Sequence, residues 1–265
     1  MPLIDPSRLE KQIQQCFSVQ SNASLFVEAI KELLDSYADH AYRPGELATL
    51  PSFLKSYHVP QPLLRTLKKE LAVFCQSESV QALSIAKELW EEPYQECKEL
   101  AISILEKLPL EMEAELLKTV EQWVSSCTHL ELIESIAQNG LNTIRKHQTA
   151  SLIERAQNWL IDERPNMRKF GFLVLQKVSD TISFSDLPLL FKVISPFLNR
   201  CPIEYYQDVV LICNALIGKS PKEMAYLMRK AITENPSADA RKLMKSCLNT
   251  FPPELQTDLK AAIQR

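Results

Sequence analysis

Glycine is scarce in this sequence. It occurs only 4 times in 265 residues, against 16 prolines, whereas an average composition would supply roughly 18 glycines. Tight hairpin turns and phosphate-binding loops depend on glycine, so the shortage disfavours β-sandwiches, β-barrels and nucleotide-binding α/β folds. The composition therefore favours an all-α chain.

Long apolar segments are missing too. No stretch approaches the roughly 18 apolar residues that a membrane-spanning helix needs, and the longest, 209–218, is about half that length. The first residues lack the basic and apolar regions of a signal peptide. The seven cysteines are widely spaced and include no C-x-x-C pair, which is typical of buried thiols in a reducing compartment. We therefore expect a cytoplasmic protein that does not enter a membrane.

Motifs of common catalytic and metal sites do not occur either. The sequence has no G-x-S-x-G, no H-E-x-x-H and no Cys/His cluster at zinc spacing. The tripeptide 218–220, Gly-Lys-Ser, resembles the end of a phosphate-binding loop, but Cys213 stands where the first glycine of that motif belongs. We expect neither a metal nor another cofactor.

Charge is distributed unevenly along the chain. The formal net charge is -3, yet residues 1–140 contain 12 Lys and Arg against 21 Asp and Glu, and residues 141–265 contain 18 against 12. A basic carboxyl-terminal half could bind a polyanion. Because solvated helix surfaces often carry a similar excess, charge alone leaves both interpretations open.

Apolar residues recur at helical spacing along nearly the whole sequence. Proline and capping residues predict helices from Asp5-Pro6, from Asn22 and over about 59–74, with 42–51 as the clearest connector. From residue 79 onward the pattern predicts helix pairs whose first helices begin about 32 to 38 residues apart. The pairs are 79–91 with 94–107, 111–125 with 130–145, 149–161 with 166–179, 186–199 with 203–217, and 221–234 with 238–249.

This interval is close to the period of HEAT-type repeats, whose helix pairs bury their apolar faces only by stacking. Trp90, Trp123 and Trp159 recur at the same interval and are expected to pack between repeats. We predict an all-α fold, a right-handed α-solenoid of HEAT-like repeats over 51–265, preceded by an N-terminal helical cap over 1–50. A plain multi-helix bundle is the alternative.

Two segments resemble a known family. Residues 57–65, YHVPQPLLR, contain a P-x-x-R helix opening, and residues 88–96, ELWEEPYQE, contain an LW-x-x-P-x-x-E repeat start. Both are similar to bacterial DNA alkylation repair proteins, which are HEAT-like-repeat alkylpurine DNA glycosylases. The resemblance covers about residues 53–235. It implies a basic concave surface that binds duplex DNA by its backbone, and excision of an alkylated purine that is not flipped into a pocket.

The resemblance also implies a catalytic carboxylate. The family's W-x-x-x-D helix matches residues 130–134, so Glu134 stands at the position of the aspartate and Leu130 at that of the tryptophan. Such a carboxylate stabilises the positive charge that develops as the glycosidic bond breaks. Glutamate keeps the charge but moves it by one methylene, about 1 Å. A displacement of this size can lower the rate of a catalysed reaction strongly.

Basic residues are expected to hold the DNA backbone. By resemblance, Arg168 and Lys169 match the family's basic pair, and Asn166 replaces the aromatic residue before that pair. Plain solvation at the start of a helix would account for these two side chains equally well.

Aromatic residues are expected at the same surface. Tyr205 and Tyr206 match a pair of aromatics in the family, whereas Cys213 and Leu216 replace a tryptophan and an arginine and are expected in the core. The complete set of candidate DNA-binding residues is Arg145, Lys146, Arg164, Arg168, Lys169, Tyr205, Tyr206, Lys219 and Lys222.

Two functions remain open. The first is a repair protein, expected as a monomer, that binds duplex DNA and could excise alkylated purines with Glu134. The second is a non-catalytic scaffold whose surface binds a protein partner or a DNA structure, because helical solenoids mostly bind partners and a fold does not establish a function.

Overall fold

The computed structural model describes residues 5–41, 54–183 and 185–264. Within these ranges the chain is helical, apart from turns and one isolated bridge between Lys55 and Tyr94. The chain divides into two compact units, 1–123 with 139–143 and 124–138 with 144–265. The predicted boundary after residue 50 lies outside the described residues.

The first unit contains six helices. They are α1 (Pro6–Phe17), α2 (Ala23–Ser36), α3 (Gln61–Ser77), α4 (Ser79–Glu91), α5 (Gln95–Lys107) and most of α6 (Glu113–Ser126). The predicted starts of α1 and α2 are confirmed, since the side chains of Asp5 and Asn22 each accept a hydrogen bond from a backbone N–H in the first helical turn. Helix α2 packs on α4, and α3 packs on α5. The predicted connector at 42–51 lies outside the described residues.

The two family-like segments meet inside this unit. Glu96, the last residue of the second segment, is buried. Its carboxylate accepts hydrogen bonds from the Ser56 hydroxyl at 2.7 Å and from the backbone N–H groups of Tyr57 and His58 at 3.1 and 2.9 Å. These contacts fix the backbone that leads into α3, so Glu96 has a structural role.

The first two of the repeated tryptophans pack between helix pairs, as predicted. The rings of Trp90 and Trp123 are stacked with their centroids 4.2 Å apart and their planes 3° apart. In the second unit Trp159 packs at 5.0 Å on Phe170, which belongs to the other helix of the same predicted pair. All three indoles are buried, so they stabilise the packing of helices and do not form a binding surface.

The second unit contains the remaining helices, α8 except for its first two residues: α7 (Leu130–Ser135), α8 (Asn142–His147), α9 (Thr149–Leu160), α10 (Pro165–Thr181), α11 (Leu187–Asn199), α12 (Tyr206–Lys219), α13 (Pro221–Thr233), α14 (Ala238–Cys247) and α15 (Pro253–Gln264). The predicted helix over 130–145 is wrong as a continuous element. A π-helical turn, Ile136–Gly140, separates α7 from α8. Helix α15 follows the predicted pairs and adds a further element.

Helices of the second unit lie in two layers. Helix α10 packs on α7 and α12, and α12 packs on α14; in the other layer α9, α11, α13 and α15 pack in succession. Each helix therefore contacts the equivalent helix of the next pair, which is the packing of a helical repeat. The predicted all-α solenoid of helix pairs is confirmed.

The cysteines are buried, as predicted, and none forms a disulfide. Burial raises the pKa of the Cys75 and Cys97 thiols to about 12, so these thiols are poor nucleophiles at neutral pH. No helix in the described part of the chain has the length and apolar character needed to cross a membrane.

Candidate nucleic-acid interface

The turns that precede α7, α10, α12 and α14 form one edge of the second unit, which we call the entry edge (residues 127–129, 161–164, 200–205 and 234–237). Hydrogen bonds connect neighbouring turns. The Asn166 side chain donates to the carbonyl of Cys127 at 2.7 Å, and the Ser237 N–H donates to the carbonyl of Asn199 at 2.9 Å. Helices of this layer therefore begin side by side, and side chains from their first turns share one surface.

Glu134 lies one turn into α7. Its side chain is half-buried, and within the described residues its carboxylate forms no hydrogen bond or ion pair. Leu130, four residues earlier on the same helix face, is 49% exposed. This face of α7 thus presents an apolar side chain next to a carboxylate that is open to a ligand.

Arg168 begins the neighbouring helix and keeps its charge. Its Nε donates to the Tyr205 hydroxyl at 3.1 Å, and its Nη1 donates to the backbone carbonyls of Asp162 and Glu163 at 2.9 and 3.2 Å. These acceptors are uncharged and orient the guanidinium, whose pKa is raised by the Tyr205 hydrogen bond and, through space, by the carboxylates of Glu204 and Asp162. The side chain remains half-exposed.

Two other predicted cations are neutralised. Lys169 Nζ lies 2.8 Å from both carboxylate oxygens of Asp208, which is buried. Arg164 forms a bidentate pair with Asp162 at 2.9 and 2.7 Å, and hydrogen bonds from Arg164 lower the pKa of Asp162 to about 2. Neither cation is available to a phosphate without giving up its carboxylate.

Both tyrosines bind neighbouring helices. The Tyr205 ring stacks on Phe172 with centroids 4.7 Å apart. The Tyr206 hydroxyl lies 2.5 Å from Ser246 Oγ, and Lys242 Nζ lies 5.4 Å from the Tyr206 ring. These contacts connect α10, α12 and α14. Cys213 and Leu216 are fully buried, which confirms that they are core residues.

The remaining predicted cations lie away from the entry edge. Arg145 donates to the carbonyls of Ala137 and Gln138 at 3.2 and 2.9 Å, and so stabilises the π-helical turn. Lys146 is exposed beside it in the last turn of α8. Lys219 ends α12, thirteen residues after Tyr206 and so about 20 Å along the helix, and Lys222 begins α13.

Arg200 is a cation at the entry edge that the sequence did not predict as a DNA-binding residue. Arg200 is exposed in the turn between α11 and α12, and within the described residues its guanidinium has no ion-pair partner. The sequence does place Arg200 in a turn, because it lies between a predicted helix end and Pro202. It does not indicate which turns lie next to one another in the folded protein. In the same ranges no group of three potential metal ligands occurs.

Comparison with known proteins identifies the family. A family model described as "DNA alkylation repair enzyme" matches residues 30–200. This chain belongs to that family. The match includes Glu134, Arg168 and Arg200, and ends before the tyrosine pair.

Other comparisons add little to this family assignment. No curated protein matches this member of the DNA alkylation repair enzyme family. Among solved structures, a designed armadillo repeat protein is similar at 15% sequence identity, with a TM-score of 0.35, over 77% of this chain and 94% of that chain.

Proposed function

We propose that this member of the DNA alkylation repair enzyme family binds duplex DNA at the entry edge of the second unit, with Glu134 as the carboxylate that would act on an alkylated purine. The observation that carries the proposal is that Glu134 has no partner within the described residues, while the next helix of its layer carries the charged, oriented Arg168.

Binding would rest on the cations that keep their charge. Arg168 and Arg200 would contact phosphates at the entry edge, and the exposed Lys146 of α8, which lies away from that edge, would add a contact. Each phosphate contact releases counterions from DNA, so binding weakens linearly in log salt with a slope of about 0.9 per contact. Lys169 and Arg164 would contribute less, because each is already paired with a carboxylate.

Excision would rest on a single carboxylate. An N-alkylated purine already carries positive charge, and breaking its glycosidic bond moves positive charge onto the deoxyribose. Glu134 would stabilise that charge electrostatically. Leu130 offers the sugar an apolar contact but no π face, so the cation–π contribution of an aromatic ring is lost. We therefore expect slow excision, limited by chemistry rather than by binding.

Single-turnover release of methylated purines from alkylated duplex DNA tests the proposal. We expect the unaltered protein to release the base and Glu134→Gln to release it about 100-fold more slowly or not at all. Glu131→Gln is the matched control, because Glu131 is an exposed glutamate on the same helix. Equal rates for Glu134→Gln and the control would refute a catalytic role for this carboxylate.

DNA binding is measured separately, by titrating an unmodified duplex at several salt concentrations. Arg200→Ala is expected to reduce the salt slope by about 0.9, since Arg200 has no ion pair to lose within the described residues. Lys260→Ala, which removes an exposed lysine from α15 in the other layer, should leave the slope unchanged. Equal effects of the two variants would contradict binding at the entry edge.

The non-catalytic scaffold remains the second candidate. Its support is that both tyrosines are engaged by protein and that an exposed leucine replaces the family's tryptophan. Duplex binding that requires Arg200, without release of any methylated base, would favour this function.

A further inference from the structure

An apolar groove lies on the second unit between α11 and α13, in the layer that does not contain the entry edge. It encloses about 580 Å³. Leu187, Phe191 and Pro196 line it from α11, and Tyr226 and Leu227 line it from α13. Tyr226 is 66% exposed, so its ring continues the apolar lining of the groove out to solvent.

Lysines flank this groove. Lys192 lines it directly from α11. On α13, Lys222 and Lys230 lie four residues before and four residues after Tyr226, so all three side chains share one stripe of the helix. The three lysines are exposed, and none has an ion-pair partner within the described residues.

Two carboxylates near the groove offset part of this charge. Glu223 also lines it, and its carboxylate accepts a hydrogen bond from the Ser220 hydroxyl. That hydrogen bond lowers the pKa of Glu223. Asp186, just before α11, is held by the Ser183 hydroxyl at 2.7 Å. Three flanking lysines against these two ionised carboxylates leave one net positive charge beside an apolar floor, and Lys222 and Lys230 on one stripe of α13 have no carboxylate partner within the described residues.

We infer that this groove is a docking site for an acidic amphipathic helix of a protein partner. A helix that lays an apolar stripe into a groove uses anchors at i, i+3 or i+4, and i+7. Lys222 and Lys230 lie about 12 Å apart along α13, the spacing of two helical turns. Aspartate or glutamate residues two turns apart beside the apolar stripe of a partner helix would face them. DNA is disfavoured as the occupant because its backbone has no apolar face to cover Phe191 and Tyr226.

Selection from a peptide library tests the inference. A phage-displayed library of helical peptides of about 16 residues would be selected on the full-length protein and counter-selected on Tyr226→Ala, which removes an exposed ring and so preserves the fold. We expect enriched peptides with an apolar stripe flanked by acidic residues. No enrichment over the counter-selection, or enriched peptides without acidic residues, would overturn the inference.

Charge reversal supplies the second readout, with one enriched peptide, fluorescently labelled, as the probe. The double variant Lys192→Glu, Lys222→Glu should weaken its binding at least about tenfold, whereas Lys245→Glu, on the exposed face of α14, should not. The double variant could instead weaken the binding of duplex DNA more than Lys245→Glu does and leave peptide binding unchanged. That result would show that these lysines bind DNA, and it would refute the docking site. Because none of these variants alters the entry edge, this failure is distinguishable from failure of the proposed DNA site.

Discussion

Replacing Asp208 with asparagine should destabilise the protein and strengthen its binding to DNA at the same time. The side chains of Lys169 and Asp208 are 27% and 7% exposed, and the ammonium lies 2.8 Å from a carboxylate oxygen. Removing one partner of a fully buried pair costs about 3–5 kcal/mol, whereas an exposed pair contributes about 0–1 kcal/mol. Because Lys169 reaches solvent and can rehydrate, we expect a loss of about 2 kcal/mol.

The gain in binding follows from the same contact. Without the carboxylate, Lys169 regains an uncompensated charge beside Arg168 at the first turn of α10. One additional phosphate contact steepens the salt dependence of duplex binding by about 0.9 in log–log slope. Urea unfolding measures the first effect, and duplex titration at several salt concentrations measures the second.

A control and a double variant isolate the pair. Asp180→Asn removes an exposed partner of Lys177 at 3.7 Å and should change stability by less than about 0.5 kcal/mol. The double variant Lys169→Met, Asp208→Leu should lose less stability than the sum of its single substitutions, since it leaves no buried charge unpaired. Unchanged stability and an unchanged salt slope for Asp208→Asn would refute the reasoning.

Three further predictions follow from single contacts. The ion pair with Arg164 lowers the pKa of Asp162 from 3.8 to about 2. The unaltered protein should therefore be more stable than Asp162→Asn above about pH 5, and this difference should shrink as the pH falls from 4 to 2. Urea titrations at several pH values measure it. Glu96→Ala should cost about 1–3 kcal/mol in the same assay, because it leaves the buried backbone N–H of Tyr57 without its acceptor. Gly171→Ala should destabilise by about 1–2 kcal/mol, since its Cβ would lie 3.1 to 3.2 Å from the facing helix, whereas Gly218→Ala meets nothing within 4 Å and should stabilise by about 0.5–1 kcal/mol.

Helix positions could be predicted because helical periodicity is a local property. The predicted pair 79–91 with 94–107 is observed as α4 and α5, within a residue at each end. Helix α15 was missed because its buried residues form a narrow stripe, Leu259 and Ile263, after two consecutive prolines. The break after α7 was not predicted. It is stabilised by Arg145, whose side chain donates hydrogen bonds to the carbonyls of Ala137 and Gln138 in the π-helical turn several residues earlier.

Candidate residues could be predicted, but their partners could not. Lys169 and Asp208 are 39 positions apart, and so are Asn166 and Cys127. Nothing in a single sequence indicates pairing over that separation, because it depends on how consecutive repeats stack. The entry edge itself, and with it Arg200, becomes visible only when the turns of successive pairs lie side by side.

Charge at the entry edge depends on the partner of each cation rather than on the number of cations. Arg164 and Lys169 are hydrogen-bonded to carboxylates and contribute little net field, whereas Arg168 is held by two carbonyls and a hydroxyl and has the carboxylates of Glu204 and Asp162 only as through-space neighbours. Neutral acceptors also restrict the rotamers of Arg168 before DNA arrives, so less side-chain entropy is lost when a phosphate binds. Arg200, which has no such support, gains the same Coulomb attraction but loses more entropy on binding. For equal geometry, Arg168 should therefore contribute more to affinity than Arg200, although both contribute equally to the salt slope.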